Sequence, residues 1–66
     1  MQIQLNGTLT DIPQGLSASA LLARLNLTGQ RVALEVNGEI VPRSAHDGYR
    51  FQPDDRVEIV HAIGGG

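Results

Sequence analysis

Two Asn-Gly dipeptides, Asn6-Gly7 and Asn37-Gly38, constrain this chain more than any other feature. Each follows a stretch of alternating polarity, and Asn-Gly in that setting is the strongest short-range mark of a two-residue β-hairpin turn. Gln2-Ile3-Gln4-Leu5 leads into the first, so a hairpin pairing residues 1–5 with 8–12 is expected. Val32, Leu34 and Val36 lead into the second, with Ala33 and Glu35 on the opposite side as in a half-buried strand. Glu39-Ile40-Val41 then reads as a short return strand ended by Pro42.

Between the hairpins, Pro13-Gln14-Gly15 breaks the strand and Ser17 stands where an N-cap accepts hydrogen bonds from free helix amides. Ala18, Leu21, Leu22 and Leu25 follow at i, i+3, i+4 and i+7, which predicts one apolar stripe on a helix of about ten residues. Gly29 lies just beyond, in position for a left-handed cap, so the helix is expected to stop near Asn26-Leu27. From Arg43 to Phe51 the pattern is weak: Asp47-Gly48 marks a turn, and Tyr49 and Phe51 are available to cover one end of a core. Gln52-Pro53-Asp54-Asp55 is turn chemistry, Arg56 to Ile63 reads as the last strand, and Gly64-Gly65-Gly66 follow. A chain of 66 residues builds one small core, since a domain near that size buries only about 60% of its unfolded surface. The economical arrangement is α+β: a mixed sheet of four to five strands with one helix packed across one face, the β-grasp layout. Its domain should span 1–63, with 64–66 as a flexible glycine tail.

Composition removes most chemistries. The chain contains no Cys, and its five basic residues, Arg24, Arg31, Arg43, Arg50 and Arg56, leave no Lys, so no thiolate nucleophile, disulfide or Schiff-base amine is available. Those arginines are scattered and outnumbered by seven acidic residues, which argues against nucleic acid as a partner. No apolar run approaches the roughly 20 residues that span a bilayer, and Met1-Gln2-Ile3-Gln4 lacks the regions of a secretory signal. No membrane association and a cytoplasmic location are expected.

No internal site emerges either. His46 and His61 lie far apart with no Cys partner, so no metal site is expected. Asp54-Asp55 after Pro53 reads as a solvated turn rather than a catalytic pair. His61 falls in phase with Val57 and Ile59, which suits a structural or interface role. None of the glycines completes a phosphate-cradling Gly-Lys-Ser/Thr pattern, so no bound cofactor is expected.

The three terminal glycines are the remaining candidate. Glycines pass through narrow channels and adopt backbone angles closed to other residues. At about 3.3–3.6 Å per extended residue, Ile63 to Gly66 could carry the Gly66 carboxylate roughly 13 Å from the sheet, far enough to enter another protein's active site. That carboxylate, ionised at neutral pH with a pKa of about 3.3–3.7, is a poor acceptor for nucleophiles until a partner activates it.

Taken together, Val36-Asn37-Gly38-Glu39-Ile40-Val41-Pro42-Arg43, the Gln-Pro-Asp-Asp turn, the Val/Ile-rich strand and the final Gly-Gly resemble the sulfur carriers of thiamine biosynthesis, which are ubiquitin-like β-grasp proteins. The likeness covers the whole chain. Gly-Gly is shared by all ubiquitin-like carriers, whereas Asn37 followed by Ile40-Val41-Pro42-Arg43 points to the thiazole branch. The resemblance implies a protein cosubstrate and not an enzyme. A ubiquitin-activating-like adenylyltransferase would use ATP to make an acyl-adenylate at Gly66. Sulfur from cysteine, through a desulfurase or rhodanese-like donor, would convert it to a thiocarboxylate for thiazole synthase. Gly65 and Gly66 match the family's working end and Gly64 extends the tail. Arg43, Val60 and Ala62 are candidates for partner binding. Competing readings are the small subunit of molybdopterin synthase, whose paired prolines before the tail are replaced here by His61-Ala62-Ile63, a protein modifier, and a noncovalent β-grasp binding module.

Overall fold

The computed structural model describes residues 1–61. Strands β1 (Gln2–Leu5) and β2 (Thr8–Asp11) form the first hairpin, with Gln2 facing Asp11 and Leu5 facing Thr8. Both central residues of its turn are left-handed, with φ of 49° at Asn6 and 83° at Gly7, which is what a type I′ connection requires. Strands β3 (Val32–Val36) and β4 (Glu39–Val41) repeat the device at Asn37 (52°) and Gly38 (85°), closing Val36 against Glu39. Ile12, expected to be paired in β2, still donates its amide to Met1 O at 2.9 Å, but it lies beyond the strand and its side chain is buried in the core.

The last described strand, β5 (Arg56–His61), enters between the hairpins, so the sheet order is β2-β1-β5-β3-β4. It runs parallel to β1 and antiparallel to β3, and among the described residues the β1–β5 pairing is the only parallel one. Strand alternation puts Ile3, Leu34, Val36, Val57 and Ile59 on the buried face. The opposite face carries Gln4, Leu9, Glu58, Val60 and Ile40 into solvent.

Helix α1 (Ala18–Arg24) buries Ala18, Leu21 and Leu22 in the same core as those strand residues. Its first free amides are all satisfied: Ala18 donates to Tyr49 O (3.0 Å), Ser19 to His46 O (3.2 Å) and Ala20 to the Ser17 hydroxyl (3.0 Å). The connection 43–51 is thus structured by the helix it caps. It begins with a 3₁₀ turn (Arg43–Ala45), buries Phe51, and packs the half-buried Tyr49 ring edge-on against Phe51 at a centroid distance of 5.4 Å.

The helix end departs from the sequence expectation. α1 has seven residues, and its left-handed cap is Asn26 (φ 59°) rather than Gly29. Asn26 donates to Ala23 O (3.1 Å) and Leu27 to Leu22 O (2.8 Å), the paired bonds of a Schellman motif. Gly29 (φ 80°) serves the next turn instead, where Gln30 donates to Leu27 O. Leu25 is the cap residue and is 38% exposed, so it drops out of the apolar stripe. Among the described residues no helix is long and apolar enough to cross a membrane.

Candidate functional site: the last strand and its supports

The strand that leads to the glycines is held on both sides by the asparagines that open the two turns. On the β3 side, Asn37 N donates to Arg56 O (2.8 Å), and Asn37 Oδ1 accepts from Arg56 N (3.0 Å). Its Nδ2 donates to the Asp55 carboxylate (3.0 Å), which also accepts from Gln52 N (2.9 Å). Asp55 is buried at 8% exposure, so it locks the turn ahead of β5 and is not the solvated group expected. On the β1 side, Asn6 Oδ1 accepts from Ile59 N at 2.9 Å. Sequence reasoning gave both asparagines a structural role only as turn residues. Their left-handed angles were legible, but contacts 53 and 19 residues away were not.

Near the end of β5, Val60 lies on the open sheet face, 49% exposed, opposite Ala33. His61 continues the phase of Val57 and Ile59 but is exposed. Arg43 opens the irregular connection, and its guanidinium donates to Gln30 O (3.1 Å). It shares a cleft of about 240 Å³ with His46, Asp47 and Ser19. His46 is buried and its Nε2 lies 2.9 Å from Val41 O, so that nitrogen carries the proton and donates. The Ser19 hydroxyl donates to the Asp47 carboxylate. Arg43 thus lines a cleft on the helix side with Ser19 and Leu22, whereas Val60 lies on the open sheet face. Ala62, Gly64, Gly65 and Gly66 lie outside the described residues. Among the described residues, no three His, Asp or Glu side chains gather as a metal site.

Residues 3–66, from β1 through the three glycines, match the model of the family described as the ThiS family. The chain belongs to the ThiS family. A thiamine biosynthesis protein (ThiS) of Geobacter metallireducens has a crystal structure that superposes on this ThiS-family chain with a TM-score of 0.86, at 30% identity and full coverage of both chains. A thiazole synthase of Magnetococcus marinus is 38% identical over all 66 residues, which amount to 20% of that protein. A protein of Porphyra purpurea named ycf40 is 32% identical over the whole chain and 93% of its own length. The ThiS-family chain thus spans about a fifth of the thiazole synthases it matches. The five-stranded mixed sheet with one helix is the β-grasp arrangement expected from the turns.

Proposed function

We propose that this chain is a sulfur carrier of thiamine biosynthesis whose working group is the Gly66 carboxylate. The observation that carries the reading is the family match, which extends from residue 3 to Gly66. In the cycle, a carboxylate oxygen of Gly66 attacks the α-phosphorus of ATP, expelling pyrophosphate and leaving an acyl-adenylate. The outer sulfur of a donor's cysteine persulfide then adds to the Gly66 carbonyl carbon and AMP leaves with that oxygen. A thiol attacks the donor-side sulfur of the resulting acyl disulfide, which releases Gly66 as a thiocarboxylate and leaves the donor's sulfur in a disulfide with that thiol. The chain offers no Cys or Lys to intercept the adenylate.

Thiazole synthase is the proposed acceptor: it takes the sulfur, and an oxygen from its substrate or from water replaces it on the Gly66 carbonyl carbon, restoring the carboxylate. The occurrence of a matching segment within two proteins named thiazole synthase supports that choice over the molybdopterin branch. The adenylyltransferase and a desulfurase or rhodanese-like donor are the other proposed partners, and the ATP is theirs to bind. Val60 on the open face, Ala62 beyond it and Arg43 at the cleft are proposed to meet these enzymes.

Incubation with an adenylyltransferase of this pathway, ATP and a sulfur source tests the reading by intact-mass analysis. One oxygen should be replaced by sulfur, and the change should map to Gly66. Deleting Gly65 and Gly66 should abolish that change while leaving the circular dichroism spectrum and thermal transition intact. Transfer of sulfur to molybdopterin synthase's large subunit, and not to thiazole synthase, would move the chain to the other branch.

A further inference from the structure

Strand β1 supports only the first part of β5, because Asn6-Gly7 turns the chain away after Leu5. The parallel ladder pairs Gln4 with Arg56 and Leu5 with Val57. On that side of β5, successive alternate residues present their backbone: Gln4 N donates to Asp55 O (2.9 Å) and Asn6 N to Val57 O (2.8 Å). Ile59 is the next in this series, and no β1 strand residue remains to meet it.

The Asn6 side chain fills that place. Its Oδ1 accepts from Ile59 N at 2.9 Å, and its Nδ2 donates to Ile59 O at a longer 3.4 Å. A carboxamide carries the same donor and acceptor pair as a peptide unit, so it adds one rung to a ladder whose strand has ended. A type I′ turn does not ask for this, since glycine or aspartate also takes positive φ at its first position. Asn37 Oδ1 likewise accepts from Arg56 N, but its Nδ2 goes to Asp55, Arg56 is the start of β5, and the β3 ladder runs on from there to His61. Among the described residues, Asn6 is the one that supports β5 from the β1 side at Ile59.

We infer that Asn6 is a positioning residue for the reactions of the tail. This rests on the carrier reading above. By tying Ile59 to the first turn, Asn6 fixes the point from which the chain projects Gly66 toward a partner's active site. An end that is free to peel from the sheet presents the same carboxylate in many positions, few of them productive.

The test compares Asn6→Gly, Asn6→Asp and Asn37→Gly in the full chain. Glycine keeps each turn, because it adopts positive φ without a Cβ penalty, and removes only the amide. Aspartate keeps the acceptor for Ile59 N and loses the weaker donor. The readouts are hydrogen exchange at the Ile59 amide, and KM and kcat for thiocarboxylation by the adenylyltransferase with ATP and a sulfur source. Asn6→Gly is expected to expose the Ile59 amide to exchange and to raise KM for the carrier about three- to tenfold, with kcat unchanged within about twofold. Asn6→Asp should fall between it and the parent. Asn37→Gly should cost at least as much thermal stability yet leave KM close to that of the parent.

A parent-like KM for Asn6→Gly, or an equal rise for Asn37→Gly, overturns the inference and reduces Asn6 to a stabilising contact. A parent chain that never acquires sulfur overturns the carrier reading and takes this role with it. The two failures are distinguishable because only the second silences the unmodified protein.

Discussion

Asp55 shows how much one side chain can hold in a domain this small. Its two oxygens accept from Asn37 Nδ2 and Gln52 N, joining the second hairpin's turn to the loop ahead of β5. Asp55→Ala removes both bonds that join these segments and should destabilise by about 1–3 kcal/mol, read from the midpoint of urea unfolding. Asp55→Asn keeps one acceptor and should lose less. Tyr49 carries a pH dependence of its own. Burial, reinforced by the negative charges of Asp55 and Glu39, raises its phenol above the ordinary value of 10.0. The folded state therefore holds the Tyr49 proton to higher pH than the unfolded chain does, and stability should fall as pH climbs from the unfolded value through the raised one. It is the only tyrosine and the chain has no tryptophan, so tyrosinate absorbance reports this single group, and Tyr49→Phe should flatten the alkaline limb.

Helix α1 and the two turns separate what local sequence carries from what it does not. Ser17, the Asn-Gly turns and the alternation of β3 act through neighbours a few residues away, and each was readable without a structure. The helix end was misread because two residues can supply the left-handed cap, and glycine is the stronger prior. Here Asn26 takes the angle first, since Leu27 must turn back to bond Leu22 O. Asn26→Gly should therefore be neutral or slightly stabilising, whereas Asn26→Ala should cost about 1 kcal/mol in a thermal or urea melt, because a Cβ disfavours that conformation. The connection 43–51 was illegible for another reason. Its carbonyls at His46 and Tyr49 are ordered by helix amides some thirty residues earlier in the chain, and no pattern within the segment records that partnership. The supports of β5 belong with it: Asn6 announces a turn in sequence, while its grip on Ile59 exists only in the fold. Of the candidate site, Val60 lies on the open sheet face, as strand alternation with the buried Ile59 requires.

The topology concentrates stability in one strand. Val57 is 1% exposed and sits where β5 joins β1 to β3. Val57→Ala should cost on the order of 2 kcal/mol, a large share of the few kcal/mol expected of a domain this size. Leu9→Ala, on the outer strand at 64% exposure, should change stability by no more than about 0.5 kcal/mol in the same urea titration. The middle position of β5 also bears on how the molecule is made. Translation delivers both hairpins and the helix before Arg56 emerges from the ribosome, and until then the two half-sheets have no common edge. A nascent chain halted ahead of that point holds two isolated hairpins, each marginal in water. The sheet therefore closes only once β5 is present to join its halves, and a fragment cut ahead of Arg56 should be degraded by added protease far faster than the parent chain.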